Sequence, residues 1–143
     1  MKKYPLWLLL IFLFCSSAII NLNKNVTPQT VNKNISFVVY KSIDYTSSVY
    51  NNSYVQLQLT VEKVSENDRT LVWEKTFEVR LLRAYPIQDN AAIQTVTVPN
   101  INERNDHLEF TYTQTYNSNG YELQTRYRTI INQNTDSRLD ISI

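Results

Sequence analysis

The fold is decided by residues 107–131, which read HLEFTYTQTYNSNGYELQTRYRTII. Asn119-Gly120 contains the only glycine of the chain, and Asn-Gly is the preferred pair for a two-residue type I′ turn because both positions need positive φ. A turn there opposes apolar residues on one face of two strands, pairing Tyr116 with Leu123, Tyr112 with Tyr127 and Leu108 with Ile131. The other face carries polar side chains, namely Thr111, Thr113, Thr115, Gln124, Arg126 and Arg128. This segment is therefore predicted to be an amphipathic β-hairpin.

A second hairpin is predicted around Asn67. A loop with an odd number of residues, centred on Asn67, pairs apolar with apolar residues, opposing Val61 to Trp73, Leu57 to Phe77 and Val55 to Val79. A loop of even length would oppose the apolar residues to the charged face of the next strand, so the hydrophobic pattern favours the odd loop. Lys75 then falls on the apolar face opposite Leu59, and we expect it at a sheet edge or extended towards solvent.

Strand-like alternation continues through most of the chain. Seven segments are predicted as strands: 35–43, 54–64, 70–82, 93–98, 107–116, 121–132 and 138–143. Any short helical turn is expected within 85–92. Two hairpins with one apolar face each are stable in water only when those faces are buried, and stacking them face to face does this. The prediction is an all-β, antiparallel β-sandwich of about seven strands with immunoglobulin-like architecture.

The first eighteen residues resemble an N-terminal signal peptide. Lys2 and Lys3 precede an apolar run over 6–14, and small residues follow at 16–18, as signal peptidase requires. The run is shorter than the about 20 residues of a membrane-spanning helix, although an uncleaved anchor extending through Ile20 is the alternative. The predicted organisation is a signal peptide over 1–18, a polar tether over 19–34 and a β-sandwich domain over 35–143.

Cys15 is the only cysteine of the chain. It lies where a bacterial lipoprotein carries its lipidated cysteine, but such sites have a small residue directly before it and this chain has Phe14. We therefore expect Cys15 to be part of the leader, with lipidation as the alternative. A domain without disulfides and with a short Lys-Lys leader indicates a bacterial exported protein, in the periplasm, at the cell surface or secreted.

The charges of the chain are balanced, with 14 basic and 13 acidic side chains. Removing Lys2 and Lys3 leaves 12 against 13, a formal charge of −1. Both signs are interspersed, so the basic stripe that binds a phosphate backbone is missing. Nucleic acid is not expected as a partner, and a membrane would be contacted only through the leader.

Catalytic and metal-binding patterns are not found. One histidine, His107, and no cysteine after residue 15 are too few for a zinc site, and a single glycine rules out a glycine-rich phosphate loop. Asp106 and His107 are adjacent in a predicted strand, so their side chains point to opposite faces and cannot readily form a catalytic pair. We therefore expect neither an enzyme nor a cofactor, although acidic residues from separate loops could still converge.

Two groups of residues are candidates for a binding surface. Tyr45, Tyr50 and Tyr54 surround the polar stretch 46–53, where aromatic rings could contact a ligand, although anchoring of the loop is the simpler role. Thr113, Gln124, Arg126 and Arg128 lie on the polar face of the 107–131 hairpin, which suits a sugar or an extended peptide, although such a face is more commonly only solvated.

The last strand, 138–143, has two interpretations. The plainer interpretation is that it pairs on both sides within a sheet. The alternative is an edge strand, in which case no Pro or Lys protects it against pairing with another chain. The leading functional hypothesis is an exported, non-enzymatic domain that binds another envelope or extracellular protein, in surface assembly, adhesion or chaperoning. The alternatives are a carbohydrate-binding module that uses the Tyr-rich loops and, less favoured, a hydrolase.

Overall fold

The computed structural model describes residues 29–42, 47–131 and 135–143. Their strands are β1 (Thr30–Tyr40), β2 (Ser53–Val64), β3 (Arg69–Thr76), β4 (Arg80–Leu81), β5 (Ala92–Asn102), β6 (His107–Ser118), β7 (Tyr121–Ile131) and β8 (Asp136–Ser142). Three single-turn 3₁₀ helices lie at Ser48–Tyr50, Leu82–Ala84 and Gln88–Asn90. The predicted all-β class is confirmed. The predicted signal peptide, including Cys15, and most of the predicted tether lie outside the described residues.

The strands form two sheets of unequal width. The narrow sheet has three strands in the order β5-β1-β8. The wide sheet has the order β3-β2-β6-β7, with β4 also paired to β2. Phe37 of β1 links the sheets, because its ring lies 5.1 Å from that of Trp73 and 4.8 Å from that of Phe110, both in the wide sheet. The two sheets thus pack as a sandwich around one apolar core.

The β6–β7 hairpin has the predicted turn and register. Asn119 and Gly120 have φ of 53° and 81°, as a type I′ turn requires. The predicted pairs are all present: Tyr116 with Leu123, Tyr112 with Tyr127 and Leu108 with Ile131.

The β2–β3 hairpin reaches the predicted register by a different route. Val61 does oppose Trp73, and the Phe77 amide bonds to the Leu57 carbonyl. The loop is not odd, however: Val64 pairs with Arg69 around a turn of four residues. A register shift after Val61 leaves Val72 as the extra residue, a β-bulge that restores the apolar pairing.

The strand predicted over 70–82 is also divided. It ends at Thr76, and β4 resumes at Arg80 with a shifted register, so Val55 opposes Arg80 instead of Val79. Val79 is exposed as a result. Lys75 opposes Leu59 on the edge strand β3 and is exposed, with its ammonium 6.0 Å from the Phe77 ring centre, as expected for this position.

β1 begins at Thr30, five residues before the predicted strand and inside the predicted tether. The additional residues are held because β5 pairs with them as far as Asn102, satisfying their backbone groups. Lys33 within this extension is buried and forms an ion pair of 2.9 Å with Glu103. Lys33, which the sequence placed in the predicted polar tether, is thus part of the folded sandwich.

Among the described residues β8 is an edge strand, and it runs parallel to β1. The sandwich is therefore not wholly antiparallel, and within the described ranges the last strand pairs on one side only. The chain crosses from β7 in the wide sheet to the narrow sheet, where β8 aligns with β1 from Asn34–Asp136 to Tyr40–Ser142. One side of β8 has no neighbouring strand among the described residues.

Replacing Phe37 by Ala tests the aromatic contact between the sheets. We expect a loss of about 3–5 kcal/mol in the free energy of unfolding, because a fully buried ring leaves a cavity. The exposed Val79→Ala should change it by less than about 0.5 kcal/mol. Urea unfolding followed by circular dichroism measures both, and similar losses for the two variants would contradict this packing.

Asp106 connects two turns at one end of the sandwich. Its carboxylate accepts hydrogen bonds from the Ser65 hydroxyl (2.7 Å) and the Asn102 amide (3.1 Å). The Ser65 hydrogen bond, followed by the Asn102 amide and nearby positive charge, outweighs desolvation and holds the pKa of Asp106 below its usual value. Because the folded-state pKa is lower than the unfolded one, the stabilisation is present above the unfolded pKa and is lost as the pH falls through the folded pKa.

Asp106→Asn should therefore lower the thermal midpoint at neutral pH. The difference from the unsubstituted chain should shrink as the pH falls below about 4, where the unfolded Asp begins to protonate. Thermal melts across this range, with the exposed Asp89→Asn as control, measure the effect. A midpoint difference independent of pH would show that the Asp106 charge does not contribute.

Candidate functional site

The inner face of β7 is not covered by the narrow sheet. β8 lies opposite β6, as shown by the Gln114 side-chain amide, which donates 2.9 Å across the sandwich to the Ser142 carbonyl. β7 lies one strand further out. Its apolar side chains on this face are consequently exposed by 83% for Tyr121, 62% for Leu123 and 52% for Tyr127.

We call Tyr121, Leu123 and Tyr127 the β7 strip. The prediction placed these residues on the apolar face of the hairpin, and their pairing is confirmed. Their burial differs from the prediction that this face is covered. Tyr112 and Tyr116 on β6 pack against the core, whereas the side chains of the β7 strip are exposed to solvent. The Tyr127 ring ends an aromatic series, 5.2 Å from Tyr112. Burial raises the pKa of Tyr112, in keeping with its inner position.

A cleft of about 620 Å³ opens at the turn end of this face. We call it the β7 cleft. Its lining residues come from the end of the wide sheet and the neighbouring 3₁₀ helices: Tyr50, Ser53, Leu82, Gln114, Tyr116, Ser118, Tyr121, Glu122, Leu123 and Thr125. The volume is in the range of small-molecule and side-chain pockets.

Gln114 is the central polar group of the β7 cleft. It is buried, and besides its bond to Ser142 its carbonyl oxygen accepts from the Tyr116 hydroxyl at 2.9 Å and from the Thr125 hydroxyl at 3.4 Å. The side chain thereby connects β6, β7 and the end of β8. Sequence reasoning did not single out Gln114, although alternation places it between Tyr112 and Tyr116 on the apolar face of the hairpin.

The β7 cleft combines apolar and hydrogen-bonding surface. Aromatic and aliphatic surfaces surround hydroxyl and amide groups, and Glu122 is the carboxylate among the lining residues. This combination suits an apolar side chain, a planar ring or a sugar that accepts a few hydrogen bonds.

The predicted polar surface lies on the opposite face of the wide sheet. Thr113 opposes Arg126, and Thr111 opposes Arg128. Gln124 donates to the Thr115 hydroxyl at 3.3 Å. These residues share one face, as the alternation indicated; Gln124, Arg126 and Arg128 are exposed on it, whereas Thr111 is buried. Their role in binding stays a prediction.

Ion pairs occupy one end of this outer face. Arg69 donates to Glu62 at 2.7 Å and to Glu109 at 2.6 Å, and Arg128 also contacts Glu109. The hydrogen bond to Glu62 raises the pKa of the Arg69 guanidinium. Arg128 is thus engaged within the sheet, whereas Arg126 meets no carboxylate among the described residues.

The three candidate tyrosines are not on one surface. Tyr50 lines the β7 cleft, whereas Tyr54 is on the outer face of β2, half exposed and opposite Asn117. Tyr45 lies outside the described residues. The structure brings together Tyr50, Tyr121 and Leu123 in the β7 cleft, a grouping that the sequence pattern did not indicate.

Asp106 and His107 engage different partners. Asp106 binds Ser65 and Asn102, and the His107 Nε2 atom is 3.5 Å from Glu109. Within the described ranges no three His, Cys, Asp or Glu side chains cluster as metal ligands do. The same residues include no helix with the length and apolar character needed to cross a membrane.

Comparisons with known proteins found no matching protein-family model, no matching curated sequence and no matching solved structure.

Replacing Gln114 by Ala tests the polar centre of the cleft. We expect the free energy of unfolding to fall by about 1–3 kcal/mol, because the Ser142 carbonyl and the Tyr116 hydroxyl lose their buried partner. Gln58→Ala, an exposed glutamine on the outer face of the same sheet, is the control and should cost less than about 0.5 kcal/mol. Urea unfolding measures both, and equal effects would remove Gln114 from this role.

Proposed function

We propose that this protein is an exported, non-enzymatic domain that binds another envelope or extracellular protein through the β7 strip and the adjoining cleft. The observation that carries the proposal is the exposure of three large apolar side chains along one strand face. Contiguous apolar surface of this kind marks interaction sites on soluble domains.

The backbone of β7 adds a second means of recognition. It has eleven residues and is an edge strand within residues 29–42, 47–131 and 135–143. It contains neither Pro nor Lys to hinder pairing. Its arginines, Arg126 and Arg128, alternate with the strip and lie on the other face of the strand, whereas Glu122 lines the β7 cleft at the turn end. An extended partner segment could pair with such an edge, and its side chains would contact the apolar strip.

Export and the finer architecture belong to the same proposal. The leader-like residues 1–18 support secretion to the periplasm, the cell surface or the medium of a bacterium. The two packed sheets and the size of the domain support an immunoglobulin-like sandwich, although the parallel β1–β8 pair has to be accommodated in that comparison.

Carbohydrate binding is the second candidate. Tyr50, Tyr116 and Tyr121 line the β7 cleft together with Gln114 and two serines, and rings beside hydrogen-bonding groups suit a sugar. A glycan array probed with the unsubstituted chain and with Tyr121→Ala separates the candidates. Sugar binding lost in Tyr121→Ala favours this function, and an array without hits opposes it.

A pair of substitutions on β7 tests the protein-binding proposal. Leu123 and Ile130 are exposed by 62% and 61% but lie on opposite faces of the strand. Leu123→Asp places a charge in the proposed interface and should reduce capture of the partner by about tenfold or more. Ile130→Asp should leave capture unchanged.

Capture is measured by affinity purification from envelope and culture fractions, followed by quantitative mass spectrometry. The proposal requires a protein retained by the unsubstituted chain and by Ile130→Asp but depleted with Leu123→Asp. Equal retention by both variants, or no retained protein at all, would refute it.

A further inference from the structure

In the described part of the chain, the narrow sheet has one strand too few to cover the wide sheet. Its order β5-β1-β8 ends at β8, opposite β6, while the wide sheet continues to β7. The β7 strip and the free edge of β8 therefore border the same space. A fourth strand of the narrow sheet in this space would pair with β8 and cover the strip.

The neighbours of this space define the strand that would fill it. Along β8, Leu139 and Ile141 face the core, whereas Arg138 and Asp140 face solvent. A strand added beside β8 must continue this alternation, with apolar side chains towards the β7 strip and polar side chains outwards.

The chain itself contains a segment with this pattern, outside the described residues. Residues 20–27 read INLNKNVT. Ile20, Leu22 and Val26 share one face in strand register, and the other face carries Asn21, Asn23, Asn25 and Thr27. Lys24 is the one charge on the apolar face, and β1 already buries a lysine, Lys33, beside Glu103.

The segment and the edge also agree in length. Residues 20–27 number eight, and β8 has seven. The polar face of asparagines would lie beside Asp136, Arg138 and Asp140 on the outer side of the narrow sheet, where hydrogen-bonding side chains are compatible with the charges.

A second copy is the better source of this strand than the same chain. Within one chain, residue 27 placed beside Asp136 would lie two strand positions across from Asn34, while Thr30 lies four residues further along β1. The separation of residue 27 from Thr30 would be roughly 16 Å. Three residue steps span at most about 11 Å when fully extended. Three residue steps are therefore too short for residues 20–27 to lie beside β8 of their own chain in this alignment.

We infer that residues 20–27 of one copy add as a strand to the free edge of β8 in a second copy and cover its β7 strip. The inference rests on the proposed function, since it names the partner of the same surface. Each copy donates one strand and accepts another at a different place, so the contact is heterologous and the copies join head to tail.

Two matched pairs of variants test this in the chain as it is exported. Leu22→Asp places a charge on the apolar face of the donor segment, and Asn23→Asp places the same charge on its polar face. Leu123→Asp and Ile130→Asp do the same for the acceptor. Light scattering coupled to size exclusion should show assemblies for the unsubstituted chain, Asn23→Asp and Ile130→Asp. Leu22→Asp and Leu123→Asp should be monomers, with unchanged circular dichroism.

Mixing the two monomeric variants provides the decisive measurement. Leu22→Asp keeps a working acceptor, and Leu123→Asp keeps a working donor, so their mixture should form a one-to-one heterodimer in native mass spectrometry and nothing longer. Absence of the heterodimer overturns the inference. An unsubstituted chain that is monomeric at every concentration also overturns it. If that monomeric chain is merely destabilised by Leu22→Asp, the strand lies within its own chain and the inference is likewise overturned.

Failure of this inference is distinguishable from failure of the proposed function. If the chain does not self-associate but captures another protein in a manner sensitive to Leu123→Asp and not to Ile130→Asp, the β7 strip binds a different partner. If neither self-association nor capture depends on Leu123, both proposals fall.

Discussion

The two sheets of this domain have unequal widths, and the other features of the molecule depend on that constraint. Because apolar and polar side chains alternate along each strand, one face of each sheet is apolar and must be buried away from water. Phe37, between Trp73 and Phe110, joins the faces where the narrow sheet lies over the wide one. Beyond β8 the structure describes no further strand of the narrow sheet. The outermost strand of the wide sheet, β7, therefore has the apolar pattern of a core strand but no sheet covering it.

The same constraint relates the polar and apolar parts of the candidate site. Gln114 lies where coverage ends, and its amide satisfies the Ser142 carbonyl at the end of β8. Outward from this bond the surface is formed by tyrosine and leucine with few hydrogen-bonding groups. The candidate site is thus the part of the core-facing side of the wide sheet that the narrow sheet does not cover. This explains why an exposed surface carries the apolar residues of a protein interior. A strand from a second copy would complete the interior in the same way as a fourth strand of the narrow sheet.

Pairing within the wide sheet could be predicted from the sequence, whereas coverage between the sheets could not. Asn119-Gly120 sets a turn of known length, and side-chain parity then determines that Tyr112 opposes Tyr127. The sequence predicted the apolar pairing of β2 with β3 but not the bulge at Val72 that restores this pairing. Alternation constrains which residues oppose each other, but it does not determine whether the loop length or a bulge produces that register. Exposure of Leu123 depends instead on which strand lies opposite β7. That is a property of strand order, and neither alternation nor turn residues encode it. The parallel alignment of β8 with β1 was missed for the same reason.

The uncovered face of β7 can be measured directly by hydroxyl-radical footprinting with mass spectrometry, comparing the unsubstituted chain with Leu22→Asp. We predict that Tyr121 and Tyr127 in Leu22→Asp are oxidised far faster than the buried Tyr85, and that both are protected in the unsubstituted chain. Oxidation of Tyr121 and Tyr127 as slow as that of Tyr85 in both chains would mean that the strip is covered within each molecule, and it would contradict the account.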